Sequence, residues 1–292
     1  RDAVVGNHFP GLGQFGLVAF LAPGLGQRLG FLDQRGTVRE RVGEAEWQVR
    51  KDLAALYRLV ALFGWDDLIF THITAKVPGT EHFLINPYGM MFDEITASSL
   101  VKIDLHGRKV MESEYDINPA GFTIHSAVHG GRTDAGCVLH AHTVAGVAVS
   151  SLACGLQPVN QWALQFYNRV AYHDYEGIAL DLEERERLVA DLGPHKAMIL
   201  RNHGLLTLGA TVAEACILML NLDRACRVQL AIQSTGQATY PVSPQVSEKT
   251  ARQYASGDTN RLTGAVDPNE REWRALLRLV QPQTSAPSAT RV

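Results

Sequence analysis

The sequence predicts an α/β domain in which helices pack on a mixed sheet. Between residues 67 and 104 the chain carries three short β-rich runs, and after residue 119 strands alternate with helices. The composition, 46% hydrophobic and 20% charged, is typical of a folded globular protein. Strands and helices in this order favour a layered α/β architecture.

The first predicted element is the helix in EAEWQVRKDLAALYRLVALFG. Trp47, Leu53 and Leu56 recur on one face at helical spacing, and Gly64 is a natural helix stop. Residues 1–40 are rich in glycine and phenylalanine and have no sustained helical or strand period. We therefore expect them to form an N-terminal extension to the fold.

Short strands follow in LIFTHITAKV, HFLINP and LVKIDLHGRKV, separated by turns at Pro78-Gly79 and Tyr88-Gly89. This hairpin-like spacing predicts an antiparallel region. The run AGFTIHSAVHGGR then predicts a helix, AGCVLHAHT a strand and VAGVAVSSLACG another helix.

The second half repeats this order. KAMILRNHGLLTLG predicts a strand and turn, and a long helix begins at Thr211 with Glu214 in the capping-box position. Two weaker helical patterns lie in the C-terminal tail, residues 237–292. We predict one domain over residues 41–236, with appendages at both ends.

Charge and cysteine content limit the partners. A formal net charge of −3 provides no broad basic field, so we expect no nucleic-acid partner and favour a small-molecule or protein partner. The apolar stretch FGLVAFLAPGLGQRLGFL is interrupted by Pro23 and Arg28, so we expect no membrane partner. The four cysteines lie far apart in apolar stretches, which predicts buried, reduced thiols and a cytoplasmic location.

His140 and His142 stand one residue apart in the apolar run CVLHAHTVAG. Side chains at i and i+2 of a strand face the same side, so both imidazoles project together while Leu139 and Ala141 face the opposite side. Two histidines satisfied by core hydrogen bonds are the alternative interpretation. A shared site is favoured because two polar rings would otherwise both need buried partners.

A third histidine, His203, ends another apolar strand immediately before Gly204. Strand ends beside glycine turns are where α/β sheets present ligands. Three neutral imidazoles suit zinc and also accommodate Fe(II), Co(II) or Mn(II), with positions left open for a substrate. The spacing of His140, His142 and His203 therefore predicts a divalent-metal site.

The other histidines divide into two groups. His125 and His129 share one helix face at i and i+4, which permits metal ligation or support of the ligands. His72 lies near the middle of a predicted strand and is expected to point into a cleft. The remaining five occupy polar or loop contexts and are expected at the surface: His8, His82, His106, His173 and His195.

The blocks INPYGM, NPAGFTIHSAVH, CVLHAHT and LRNHGLLTLG, in this order between about residues 45 and 235, resemble the class II aldolase/adducin family. The resemblance implies a three-layer α/β/α fold with a mostly antiparallel central sheet, commonly assembled as a homotetramer with active sites at subunit boundaries. It also implies that His140, His142 and His203 bind a divalent metal, usually zinc.

The chain departs from the sugar-phosphate aldolases of that family at the position of their catalytic glutamate, where Gly121 or Phe122 stands. Neither side chain can move a proton. FTHITAK and Pro119-Ala120 replace the phosphate-binding segments, which implies an unphosphorylated substrate. The resemblance to the adducin-like bacterial branch instead implies a different set of site residues: substrate-binding His72, Gly89, Asn118 and Gln161, and catalytic His125 and Tyr167.

These observations favour a metal-dependent carbon–carbon lyase, of aldolase or decarboxylase type, with His125 or Tyr167 as the proton carrier. The expected substrate is a small hydroxy- or oxo-acid or a sugar-derived carbonyl compound. One alternative is a non-haem Fe(II) oxygenase on the same fold, because three histidines leave positions open for oxygen. A second alternative is a non-catalytic, adducin-like assembly module.

Overall fold

The computed structural model describes residues 37–177, 183–256 and 269–280, which belong to one compact unit. Nearly all of the predicted extension, residues 1–40, lies outside these ranges. The predicted domain limits at residues 41 and 236 therefore stay a prediction. Where it is described, the tail forms two helices that pack on the rest of the unit.

The described residues contain a seven-stranded sheet in the order β3–β2–β1–β4–β7–β6–β5. Neighbouring strands are antiparallel except β5 and β6, which are parallel. The prediction of a mostly antiparallel sheet is confirmed. The strands are β1 His72–Lys76, β2 Phe83–Ile85, β3 Val101–Ile103, β4 Cys137–Ala141, β5 Val170–His173, β6 Ala197–Leu200 and β7 Gly204–Gly209.

Helices cover both faces of this sheet, and Gly64 ends the first long helix in a left-handed conformation with φ 65°, as predicted. Within the described ranges the helices are α1 Val38–Arg41, α2 Glu44–Phe63, α3 Pro119–Gly131, α4 Val144–Ser150, α5 Gln161–Gln165, α6 Glu184–Leu192, α7 Val212–Gln233, α8 Pro244–Ala255 and α9 Glu270–Val280. A 3-10 turn spans Phe92–Glu94.

The two largest apolar clusters of the described residues lie on opposite faces of the sheet, between the three layers. Leu139 and Ala141 on β4 pack with α2, α4 and α7 in the larger core, as strand alternation predicts. Val138, on the other face of β4, packs with α3 and α6 in the smaller core. The three-layer α/β/α fold is therefore confirmed, and His140 points to the side covered by α3 because it shares the face of Val138.

Helix α7 begins at its predicted cap. The Thr211 side chain accepts a hydrogen bond from the Glu214 N–H. The Glu214 carboxylate accepts from the Ala210 N–H and also pairs with Lys196 at the start of β6. The cap thus fixes both the start of α7 and its position against the sheet.

Two expectations about burial are wrong. His173, expected at the surface, is only 3% exposed because it lies on β5 between Asp191 and Glu184, with nitrogen–oxygen distances of 2.7 and 3.4 Å. Cys154, expected to be buried, is exposed in the turn after α4, whereas Cys137, Cys216 and Cys226 are buried. Among the described helices, none has the length and apolarity needed to cross a bilayer.

Candidate metal centre

His140, His142 and His203 converge at one end of the sheet. One ring nitrogen from each lies within 4.8 Å of the other two. The ring centroids of His140 and His142 are 4.7 Å apart, and that of His203 is 4.7 Å from His140 and 4.9 Å from His142. The fold therefore brings together the three residues that the sequence predicts as metal ligands.

Strand pairing and one tight turn produce this convergence. On β4, His140 faces His72 of β1 on one side and Leu206 of β7 on the other. The chain leaves β6 through Asn202, which has a positive φ of 54°, so that His203 returns toward β4. A Cβ at Gly204 would lie 2.7 Å from the Ala141 carbonyl oxygen, so glycine is required for this approach.

The outer nitrogens of two of these rings are held by acceptors. His140 Nδ1 lies 3.0 Å from the Leu205 carbonyl oxygen, and His142 Nδ1 lies 2.9 Å from Asp67 Oδ2. A carbonyl and a carboxylate only accept, so each Nδ1 carries the hydrogen and each Nε2 keeps its lone pair. This is the arrangement in which an imidazole binds a metal ion.

The inner nitrogens fit a shared cation. His140 Nε2 and His142 Nε2 are 2.9 Å apart. Two lone pairs at this distance repel each other unless a positive charge lies beside both of them. The donor set of three histidines suits zinc and other divalent transition metals, so the residues present fit such an ion.

Burial favours the neutral form of His140 and His203, which is the form that metal ligation requires. Desolvation, reinforced by His142, lowers the pKa of His203 to about 4. Desolvation and the neighbouring His203, His142 and His72 rings lower the pKa of His140 well below its usual value. These two rings therefore remain in the protonation state that metal ligation requires at neutral pH.

A second group of buried histidines lies behind the first. The His72 ring is 4.3 Å from the His125 ring and 5.4 Å from the His140 ring, measured between centroids. Burial lowers the pKa of His72 to about 3. His125 and His129 both contact the Thr74 hydroxyl at 2.7 Å. His72 thus stands next to His140, one of the three predicted metal ligands, and His125 lies behind His72.

Gly121, rather than Phe122, faces this site. A Cβ at Gly121 would lie between 2.6 and 2.8 Å from three atoms of the His72 ring, so the ring fills the space above the glycine. Phe122 instead packs with the residues beneath the β2–β3 edge, and Arg185 lies over its ring. The imidazole of His72 occupies the place that a side chain at residue 121 would take.

The other predicted residues do not all lie together. Asn118 donates from Nδ2 to the Phe70 carbonyl at 3.3 Å, two residues before His72. Gly89, with φ 100°, lies in the exposed turn after β2, at the same end. Tyr167 precedes β5 and lies at the opposite end, whereas Gln161, at the start of α5, donates to the Tyr254 hydroxyl of α8 at 3.4 Å.

Asp67 is the site residue that the sequence reasoning missed. It lies in the loop between α2 and β1 and bonds to His142, 75 residues away in the chain. The signal in the sequence is the acidic pair Asp66-Asp67 just before the strand that carries His72. Such a pair is also typical of an ordinary polar loop, so it does not identify the partner.

The chain is similar to known proteins over most of its length. The profile of the family described as "Class II Aldolase and Adducin N-terminal domain" matches residues 51–230. A relative from Caulobacter vibrioides, named "Putative aldolase class 2 protein", is 58% identical over 233 residues, covering 80% of this chain and 91% of the relative.

Two further comparisons extend this finding. The crystal structure of an aldolase II superfamily protein from Pseudomonas syringae has a TM-score of 0.78 and 50% identity, covering 84% of this chain and 96% of that one. Alpha-adducin from Rattus norvegicus is 41% identical over 288 residues. That match covers 95% of this chain but 39% of the adducin, which is a much longer protein.

Proposed function

Because this chain belongs to the class II aldolase and adducin family, we propose that it is a divalent-metal-dependent carbon–carbon lyase of aldolase or decarboxylase type. The proposed substrate is a small hydroxy- or oxo-acid or a sugar-derived carbonyl compound. The observation that carries this proposal is the 2.9 Å distance between His140 Nε2 and His142 Nε2, with His203 beside both rings. His140, His142 and His203 would hold the ion, and zinc is the first candidate.

A bound divalent ion supplies Lewis-acid polarisation of a carbonyl oxygen. The chain contributes orientation, because Asp67 and the Leu205 carbonyl hold the two histidines of β4. It also excludes water, since His72, His125 and His140 are almost fully buried. Glycine at residue 121 cannot transfer a proton. We therefore propose that His125, which lies beside His72, accepts and donates the proton that the reaction moves.

We also propose that His72, Gly89 and Asn118 contact the substrate, because they lie at the same end of the sheet as the histidine cluster. Tyr167 lies at the other end and Gln161 contacts Tyr254 of α8, so we propose that these two residues act at the site of a neighbouring subunit. This supports the proposal of a homotetramer, which light scattering on the purified protein would test. The described cysteines are free thiols, which supports a cytoplasmic location.

Zinc titration of the metal-free protein tests the metal site. We expect one Zn²⁺ per chain by calorimetry, and we expect His203→Ala to lose measurable binding because it removes one of three nitrogen donors. His106→Ala is the matched control, since His106 is exposed on the loop after β3 and should leave binding unchanged. Equal binding by wild type and His203→Ala would contradict the proposed site.

The reaction is tested with cobalt in place of zinc. The visible spectrum of the Co²⁺-loaded protein is recorded while small hydroxy-acids, oxo-acids and unphosphorylated hydroxyketones are added, and the reactive compound is followed by proton NMR. An aldolase exchanges the proton beside the carbonyl for deuterium, whereas a decarboxylase releases carbon dioxide. A spectrum that no compound of these classes changes would overturn the proposal.

The likeness to alpha-adducin favours a second candidate, a non-catalytic assembly module. That function requires no metal, so a protein that purifies as an oligomer, binds no Zn²⁺ and turns over no carbonyl compound would support it. The three-histidine donor set also suits iron. Metal analysis after expression separates the third candidate, an Fe(II) oxygenase, because it would retain iron rather than zinc.

A further inference from the structure

A chain of buried polar groups runs from the end of α3 toward the metal centre. His129 Nδ1 lies 2.9 Å from the Ala135 carbonyl oxygen. The Thr74 hydroxyl on β1 lies 2.7 Å from His129 Nε2 and 2.7 Å from His125 Nδ1. All three side chains are at most 5% exposed.

The carbonyl at one end determines the direction of every hydrogen bond in this chain. A carbonyl only accepts, so His129 carries its hydrogen on Nδ1 and has a bare Nε2. The Thr74 hydroxyl therefore donates to His129 Nε2. Its oxygen is then left to accept, so His125 must donate from Nδ1 and has a bare Nε2.

This direction requires neutral rings, and burial provides them. Desolvation is the main cause that lowers the pKa of His129 to about 4 and the pKa of His125 well below its usual value. A neutral imidazole has one donor and one acceptor nitrogen. Neither ring can therefore carry a second hydrogen that would reverse the chain at neutral pH.

The direction of this chain leaves His125 Nε2 as an open acceptor. It is buried and has no hydrogen-bond partner among the described residues, and the ring of His72 lies beside that of His125, with 4.3 Å between the centroids. Both nitrogens of His72 are buried and also lack a partner of normal geometry in the described part of the chain. The Phe70 carbonyl accepts from the Asn118 amide and can also accept from His72, because a carbonyl oxygen has two lone pairs.

We propose that Thr74 and His129 are positioning residues that hold His125 in its Nδ1–H tautomer, so that its Nε2 is kept free of hydrogen beside the ring of His72 and can accept a proton there. The role beside the metal centre rests on the proposed function, whereas the tautomer of His125 does not.

The tautomers are measured by NMR on full-length protein labelled with ¹⁵N-histidine, whose ring nitrogens differ clearly in shift when bare and when protonated. Single His→Gln variants assign the signals. We expect Nδ1–H and a bare Nε2 for both His125 and His129. A wild-type His125 that carries its hydrogen on Nε2 would overturn the inference.

Thr74→Val removes the hydroxyl and keeps the shape of the side chain. We expect His125 to shift to a mixture of both tautomers, while His129 keeps its Nδ1–H because the Ala135 carbonyl still holds it. Thr74→Ser retains the hydroxyl and should restore the wild-type spectrum. A valine variant with an unchanged His125 signal, or a serine variant that matches valine, would contradict the role of Thr74.

Zn²⁺ titration of the same samples separates this inference from the proposed function. Thr74 contacts none of His140, His142 and His203, so Thr74→Val should bind Zn²⁺ within about twofold of wild type. Wild-type protein with the expected tautomers but no Zn²⁺ binding would remove the metal function and leave the tautomer chain intact. Wild-type protein that binds Zn²⁺ but lacks the expected tautomers would overturn the tautomer chain and leave the metal function intact.

Discussion

The contact between Asp67 and His142 links a half-exposed loop to the candidate metal centre. Asp67 Oδ2 accepts from His142 Nδ1 at 2.9 Å, and the Asp67 side chain is 47% exposed. As a surface ion pair it would contribute little to stability. Its importance is orientation, because it selects the tautomer in which His142 presents Nε2 to the metal.

We predict that Asp67→Asn weakens Zn²⁺ binding by about 10–100-fold, the range typical of residues that orient metal ligands. Calorimetric titration of metal-free protein gives the measurement. The unfolding midpoint should change little, because the carboxylate is partly solvated. Asp66→Asn is the matched control, and an Asp67→Asn affinity equal to that of this control would show that the carboxylate does not orient His142.

Gly121 gives a second prediction for a single residue. Alanine normally stabilises a helix over glycine by ~1 kcal/mol. Here its Cβ would lie 2.6 Å from His72 Cγ, so Gly121→Ala should displace His72 and lower the free energy of unfolding by ~1–3 kcal/mol. Urea denaturation measures this change in the free energy of unfolding.

Gly130→Ala in the same helix is the control. The nearest atom to its Cβ would be Leu105 Cδ2 at 4.0 Å, so we expect equal or higher stability. A Gly121→Ala protein as stable as Gly130→Ala would contradict the close packing of the His72 ring against Gly121.

At the scale of secondary structure, β4 explains why much of the site could be predicted. Strand alternation is a local property, so the sequence predicted that His140 and His142 share one face and that Leu139 faces the core. The turn before Gly204 is also local, and it brings His203 to the same place. The bond from Asp67 could not be predicted, because it depends on how a distant loop lies over β4.

Among the elements that the sequence did not predict, three show why a weak local pattern is not enough. Helix α6 is rich in charged residues, and its buried Leu188 and Leu192 are spaced by a single turn. Strand β5 is short and contains His173, whose burial depends on carboxylates from α6. Helix α5 has only five residues. Such elements form because of tertiary contacts rather than local periodicity.

Gly204 gives the prediction that belongs to this scale. The Cβ of Gly204→Ala would lie 2.7 Å from the Ala141 carbonyl oxygen, which is backbone and cannot move aside without separating β4 from β7. We expect a loss of ~1–3 kcal/mol in unfolding free energy, together with weaker Zn²⁺ binding. Denaturation and calorimetry measure the two effects, with Gly130→Ala again as the control.

A Gly204→Ala protein with wild-type stability and wild-type Zn²⁺ affinity would contradict the required close approach of the two strands. A loss of stability without a loss of affinity would place the strain in the strands and leave the position of His203 unaffected.

For the whole molecule, the buried histidines make stability depend on pH. The folded pKa of His129 is about 4 and that of His72 about 3, mainly through desolvation, against an ordinary value near 6.5. Below pH 6.5 the unfolded chain binds these protons and the folded chain does not. The stabilisation is therefore complete above pH 6.5 and is lost progressively as the pH falls toward 4.

We predict that the free energy of unfolding of the metal-free protein falls by ~1.4 kcal/mol per pH unit for each such histidine between pH 6.5 and 4. Urea denaturation at several pH values measures the slope. His129→Gln should reduce this slope by the contribution of one proton, ~1.4 kcal/mol per pH unit. His106→Gln, at an exposed position, should leave the slope unchanged. A flat profile would mean that these histidines titrate normally in the folded protein.

The position of β4 at the centre of the sheet has a consequence for how the protein reaches its native state. His140 pairs with His72, roughly 70 residues earlier, and with Leu206, roughly 70 residues later. Such distant pairings are slow to form. During synthesis β4 stays without its second neighbour until β7 has left the ribosome, so an apolar edge is exposed to aggregation for that interval. His203 arrives with the same segment, so the capacity to bind zinc would mark the moment at which this edge closes.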